Sequence, residues 1–79
     1  MIGKIVCSKA GNDKGNFSVI VKTENGRIFI SDGKRHKLSF PKSKNPKHLA
    51  FTETTLNTEE LKTDKSLRKA LAIYRSNMK

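Results

Sequence analysis

The sequence predicts a small, mainly β fold: five short strands closed into a barrel, with one helix at the C-terminal end. Three features point to it. Short runs rich in β-branched and aromatic residues are punctuated by glycine-bearing turns. One turn is Asn25-Gly26 between two apolar runs, the strongest short-range hairpin signal, because a type I′ turn requires positive φ at both central residues. From Thr63 onward the apolar spacing changes to the helical period. The chain has 79 residues, 34% of them apolar, which limits it to one domain. A chain of this size buries only roughly 60% of the surface its unfolded form exposes, so its fold must be simple. Residues 1–56 are assigned to the barrel and 57–79 to a helical segment packed on it.

Residues 2–8 make the first expected strand and, after the polar loop Lys9-Ala10-Gly11-Asn12-Asp13-Lys14-Gly15, residues 16–23 make the second. With Asn25 and Gly26 as the loop, Glu24 faces Arg27, Thr23 faces Ile28, Lys22 faces Phe29 and Val21 faces Ile30. That register gathers Phe17, Val19, Val21, Ile28 and Ile30 on one face, taken as the core, and leaves Ile20 and Phe29 interrupting a polar face. Asp32-Gly33 makes a second turn. His36, Leu38 and Phe40 then alternate with Arg35, Lys37 and Ser39, as a fourth strand with a basic outer face and His36 inward. Pro41 and Pro46 bracket Lys42-Ser43-Lys44-Asn45, which is not expected to form a regular ladder strand. Residues 49–52 make a brief fifth strand with Leu49 and Phe51 inward.

In the tail, Leu67, Ala70, Leu71 and Tyr74 recur at i, i+3, i+4 and i+7, with Ile73 and Met78 beside the stripe. Thr63 or Asp64 caps the start of this helix, and Arg75 and Lys79 suit its C-terminal dipole end. Thr58-Glu59-Glu60-Leu61 makes a separate helical turn before it. A helix of about twelve residues is marginal alone in water, so its stripe must dock. Ile20 and Phe29 are the candidate receiving surface.

Charge sets the expected partner. Seventeen Lys and Arg against seven Asp and Glu give a net charge of +10, which signals a polyanion. The bias is concentrated: residues 1–48 carry +8 of it, and residues 34–48 hold Lys34, Arg35, Lys37, Lys42, Lys44 and Lys47 with no acid, plus His36 and His48. Thirteen Lys to four Arg favours phosphate contact over base-edge reading. Cys7 is the single cysteine, and no Cys/His spacing matches a zinc site, so neither a disulfide framework nor a bound metal is expected. The longest apolar run is the five residues 70–74, far short of a span, and the others are pairs and triplets, so no membrane span is expected. Lys4 interrupts what would be the hydrophobic region of a secretory signal, and a reducing cytoplasmic location follows.

Catalysis has little to work with. Cys7 reads as a small buried strand residue, His36 and His48 have no carboxylate near them in sequence, and Asp13, Asp32 and Asp64 are accounted for by turns or caps. No enzyme, cofactor or small-molecule substrate is therefore expected. Residues 11–15 lack the pattern of a Walker loop, but their glycines permit a sharp turn that presents backbone N–H groups to an anion, with Lys9 and Lys14 adding charge.

Ile5-Val6, the loop Ser8-Lys9-Ala10-Gly11-Asn12-Asp13-Lys14-Gly15, then Val19-Ile20-Val21 and Arg27-Ile28-Phe29-Ile30 with Asp32-Gly33, together resemble the KOW motif. Gly11 stands at the position of that motif's most constant glycine, and Lys14-Gly15 matches its lysine-glycine pair. Lys34-Arg35-His36-Lys37-Leu38, Pro41-Lys42, Lys47-His48-Leu49 and the basic C-terminal helix extend the likeness to small stand-alone bacterial relatives of the archaeal and eukaryotic large-subunit ribosomal protein of the L-fourteen-e type. The resemblance implies an SH3-like five-stranded β-barrel and RNA binding in the translation apparatus, with ribosomal RNA or the ribosome as partner; separately, the protein is expected to be a monomer.

The RNA-binding residues expected are Lys9, Gly11, Asn12, Lys14, Gly15, Lys34, Arg35, Lys37, Lys42, Lys44, Lys47 and His48. Residues 34–48 are expected to dominate, engaging about six phosphates through counterion release. Phe29, beside Lys22 and Arg27, is the candidate base stacker. The competing expectation is a protein-interaction module that docks a partner on Ile20 and Phe29.

Overall fold

The Asn25-Gly26 turn forms with φ of 49° and 79° at its two central residues, joining strand β2 (Phe17–Glu24) to β3 (Arg27–Ser31). The computed structural model describes residues 2–77, so the expectations for Met78 and Lys79 lie outside the described residues. Around that hairpin, β1 (Lys4–Ser8) pairs antiparallel with β2, β4 (Lys42–Lys44) pairs with β3, and β5 (Leu49–Thr55) returns to pair with β1. The result is a five-stranded antiparallel sheet of order β4-β3-β2-β1-β5, followed by helix α1 (Asp64–Ser76). The sheet is open. Its end strands β4 and β5 do not pair with each other, in contrast to the closed barrel expected.

The hairpin keeps its expected register only near the turn. Glu24, Thr23 and Lys22 face Arg27, Ile28 and Phe29, but a bulge between Ile20 and Lys22 then sets Ile20 opposite Ile30 and Val19 opposite Ser31. One extra residue in β2 reverses the faces beyond it. Ile20 therefore joins Val6, Ile28, Ile30 and Leu49 in one buried cluster. Phe17, Val19 and Val21 turn to the other side, where Val19 and Ile5 pack against Leu67 and Leu71 of α1. The helix thus docks over Ile5 and Val19, and not over Ile20 and Phe29. Phe29 is half-buried, with Lys22 Nζ 5.4 Å from its ring centroid. Apolar residues on both faces account for the unalternating runs Ile5-Val6 and Val19-Ile20-Val21.

Residues 35–40 do not form the expected fourth strand, because their backbone partners are taken elsewhere. Asp32 Oδ1 accepts from the amides of Lys34 and His36, Asp64 Oδ1 accepts from the amide of Leu38, and the His36 carbonyl receives Asp32 N, Gly33 N and Ser31 Oγ. Side chains that capture backbone groups in this way compete with a ladder. Phe40, expected inward, is 84% exposed. The edge strand lies instead at Lys42–Lys44, between the two prolines, where a missing N–H just outside the pairing is tolerated. β5 is longer than expected, and its Phe51 is 39% exposed.

The helix begins as its sequence signals. Thr63 is the N-cap, its hydroxyl accepting from Ser66 N while Ser66 Oγ accepts from Thr63 N. Leu67, Ala70 and Leu71 are buried. Thr58–Leu61 forms a 3-10 turn capped by Asn57 and Glu60. Among the described residues no helix is long and apolar enough to cross a membrane.

Candidate nucleic-acid interface

Hydrogen bonds close the β1–β2 loop on itself. Gly15 N donates to Ser8 O, Ser8 N to Asn16 O and Asn16 N to Asp13 O. Gly11 and Gly15 both have positive φ and no atom within 4 Å of where a side chain would begin, so this stretch of backbone is open to a ligand. Within it, Gly11–Asp13 makes a 3-10 turn that carries Asp13 inward, to 8% exposure.

Asp13 is the centre of the arrangement. Its Oδ1 accepts from Arg35 Nη1 at 2.9 Å, its Oδ2 lies 3.1 Å from His36 Nε2, and Lys44 Nζ approaches Oδ2 at 3.6 Å. Burial alone pushes this carboxyl up. The Arg35 and His36 hydrogen bonds, with the charges of His36 and Lys44, outweigh that and hold it below the usual carboxylate value. One carboxylate therefore draws the glycine loop, the 32–36 loop and the β4 edge together. It does so asymmetrically: the side chain of Arg35 stays 57% exposed, whereas those of His36 and Lys44 are 17% and 13% exposed. Arg35 remains accessible to an anion, while Lys44 and His36 act mainly as internal anchors.

Two clefts flank this junction. One, of about 340 Å³, is lined by Gly11, Asn12, Asp13, Arg35, His36, Lys42 and Lys44. The other, of about 290 Å³, lies between the 32–35 loop and α1 and includes Asn16, Phe17, Lys34, Arg35, Arg68 and Arg75. Arg35 lines both, so they form one continuous basic face.

Of the expected contact residues, Gly11, Asn12, Lys34, Arg35, Lys42 and Lys44 meet on this face. Lys14, Gly15 and Lys37 are exposed but line neither cleft. Lys9, Lys47 and His48 form a separate group, joined by a 2.8 Å bond from Lys9 N to His48 O. The residues not anticipated are Asp13, His36, Arg68 and Arg75. For the arginines a signal was available: Arg68, Ala72 and Arg75 stand at i, i+4 and i+7, a second stripe beside the apolar one. Cys7 is half-buried in β1. No known family model matches this chain, and no curated protein matches it either.

Proposed function

We propose that this protein binds structured RNA, ribosomal RNA in the first instance, as a monomeric cytoplasmic module of the translation apparatus working through phosphate contacts. The observation that carries the reading is the continuous basic face around Arg35, assembled from the β1–β2 loop, the 32–36 loop, β4 and α1. Its cations come from three of these segments, the 32–36 loop, β4 and α1, which suits the curved backbone of folded RNA better than a straight duplex edge. Side chains do not reach into the deep major groove of A-form RNA, so a surface of this kind recognises backbone path and irregular shape. The KOW reading gains support from the exposed glycine-loop backbone and from β5 lying beside β1, the strand order that a partly open SH3-like barrel would have. Leu49 of β5 belongs to the same buried cluster as Val6, Ile20, Ile28 and Ile30, so the apolar face runs across the sheet from β5 to β3.

The docking alternative rested on Ile20 and Phe29 as a surface, and Ile20 is fully buried.

A titration against a structured ribosomal RNA fragment tests the proposal. If about six phosphates are engaged, affinity falls on the order of a thousandfold between about 50 and 200 mM salt. Replacing exposed Lys34 and Lys42 together with Ala is expected to weaken binding to every structured RNA and to lower the salt slope by about two. Absence of binding at low salt, or binding indifferent to salt, overturns the proposal.

A further inference from the structure

The cleft between the 32–35 loop and α1 has a composition that phosphate contact alone does not explain. Four lining residues, Lys34, Arg35, Arg68 and Arg75, are exposed cations and make a cationic rim, whereas buried Leu71 and half-buried Phe17, with the short side chain of Ala72, give it an apolar floor. The helix creates the gap: Ala72 sits between two arginines seven residues apart, so a small side chain separates two long ones by about two turns. The parts are held in place. Arg68 Nη1 donates to Gly33 O at 2.8 Å, fixing one guanidinium at the rim, and among the described residues its other donors have no partner. The Phe17 ring is braced edge-on against Tyr74, with centroids 5.4 Å apart and planes at 71°. Asp32, the one carboxylate here, accepts two backbone N–H bonds and is 8% exposed, so it orders the loop.

A bare inorganic anion uses the rim and ignores the floor. An apolar ligand does the reverse. A nucleotide uses both, since its phosphate suits guanidinium forks and its flat base suits an aromatic and aliphatic floor. The cleft's volume of about 290 Å³ sits at the lower end of ligand-pocket sizes, which favours a single unit over a longer segment. Because the cleft opens on the basic face through Arg35, a nucleotide in it is positioned to belong to a bound RNA. We infer that this cleft receives one unpaired nucleotide extruded from folded RNA, its phosphate at Arg68, Arg75 and Lys34 and its base against Phe17 and Ala72. The inference rests on the RNA-binding reading and sharpens it.

Two RNAs test it: a hairpin with a single-nucleotide bulge, and the same hairpin fully paired. The wild-type protein is expected to bind the bulged RNA about tenfold more tightly, the gain from stacking one base. Ala72→Leu fills the cleft at an exposed, helix-compatible position and leaves the charge unchanged. It is expected to abolish the preference, so that the variant binds the bulged and the paired hairpin with equal affinity. Arg75→Gln, also exposed, is expected to reduce the preference several-fold, and circular dichroism confirms that both variants are folded. Adenosine 5′-monophosphate is expected to displace the bulged RNA only in large excess. A wild type that binds both hairpins equally, or an Ala72→Leu variant that keeps the full preference, overturns the cleft assignment and leaves RNA binding standing. Free nucleotide competing as well as the bulged RNA also overturns it. Failure to bind either hairpin at low salt removes the RNA reading and the inference with it.

Discussion

Asp13 is one of three acids among the first 48 residues, and it is turned inward toward three basic side chains. In an otherwise cationic surface, its negative charge is what lets Arg35, His36 and Lys44 approach one another. Asp13→Asn keeps the shape and removes the charge, and is expected to lower stability by about 1–2 kcal/mol. The sign of the pH dependence follows from the depressed carboxyl. Its stabilisation is complete above the unfolded value near about 4 and is lost as pH falls through the lower folded value. The gap in urea midpoint between wild type and variant is therefore expected to be widest above about pH 5 and to close in acid. A gap that stays constant through that range contradicts the ionic role. This hub was not legible in the sequence because its partners lie 22, 23 and 31 residues downstream, and a lone Asp between glycines reads as an ordinary loop residue.

Elements with local signals were legible: the Asn25-Gly26 hairpin, the helix from its i, i+3, i+4, i+7 stripe, and its cap at Thr63. What failed was decided by long-range packing. The bulge at Val21 has no local marker, and it moved Ile20 from the expected outer face into the core. The alternation His36, Leu38, Phe40 looked like a strand, but Asp32 and Asp64 captured the amides a strand needs. The contact between the 32–35 loop and α1 depends on Gly33, which has φ of 77° and whose added Cβ would lie 2.5 Å from the Asp64 carbonyl oxygen. Gly33→Ala must therefore adopt a strained backbone and also push the loop off the helix. It is expected to cost about 2 kcal/mol or more, against about 1 kcal/mol for Gly26→Ala, whose added methyl meets nothing. Equal losses in thermal unfolding would show that the loop does not press on the helix. The site divides in the same way: the basic run was visible as composition, but its union with Arg68 and Arg75 depends on where the helix docks.

For the whole molecule, a net charge of +10 is held within a radius of gyration of 11.2 Å, so many like charges lie within a screening length of about 10 Å at 0.1 M salt. The other ion pairs among the described residues, Lys22–Glu24 and Lys62–Glu59, are exposed and contribute little. Repulsion is therefore expected to dominate the electrostatics of the free protein, while attraction dominates its complex with RNA. Added salt should act on the two in opposite directions. Raising potassium chloride from about 50 to 500 mM is expected to raise the melting temperature of the free protein by roughly a few degrees, while the same change weakens RNA binding steeply. Chloride is the informative anion, because sulfate strengthens apolar burial on its own account. Replacing Lys34, Lys37 and Lys42 with Ala removes cations from the crowded half, so the variant is expected to melt higher than wild type at low salt and to respond less to added chloride. A free protein whose melting temperature falls with chloride would mean that attractive contacts such as those at Asp13 outweigh the repulsion, and that the basic face is not under electrostatic stress before RNA arrives.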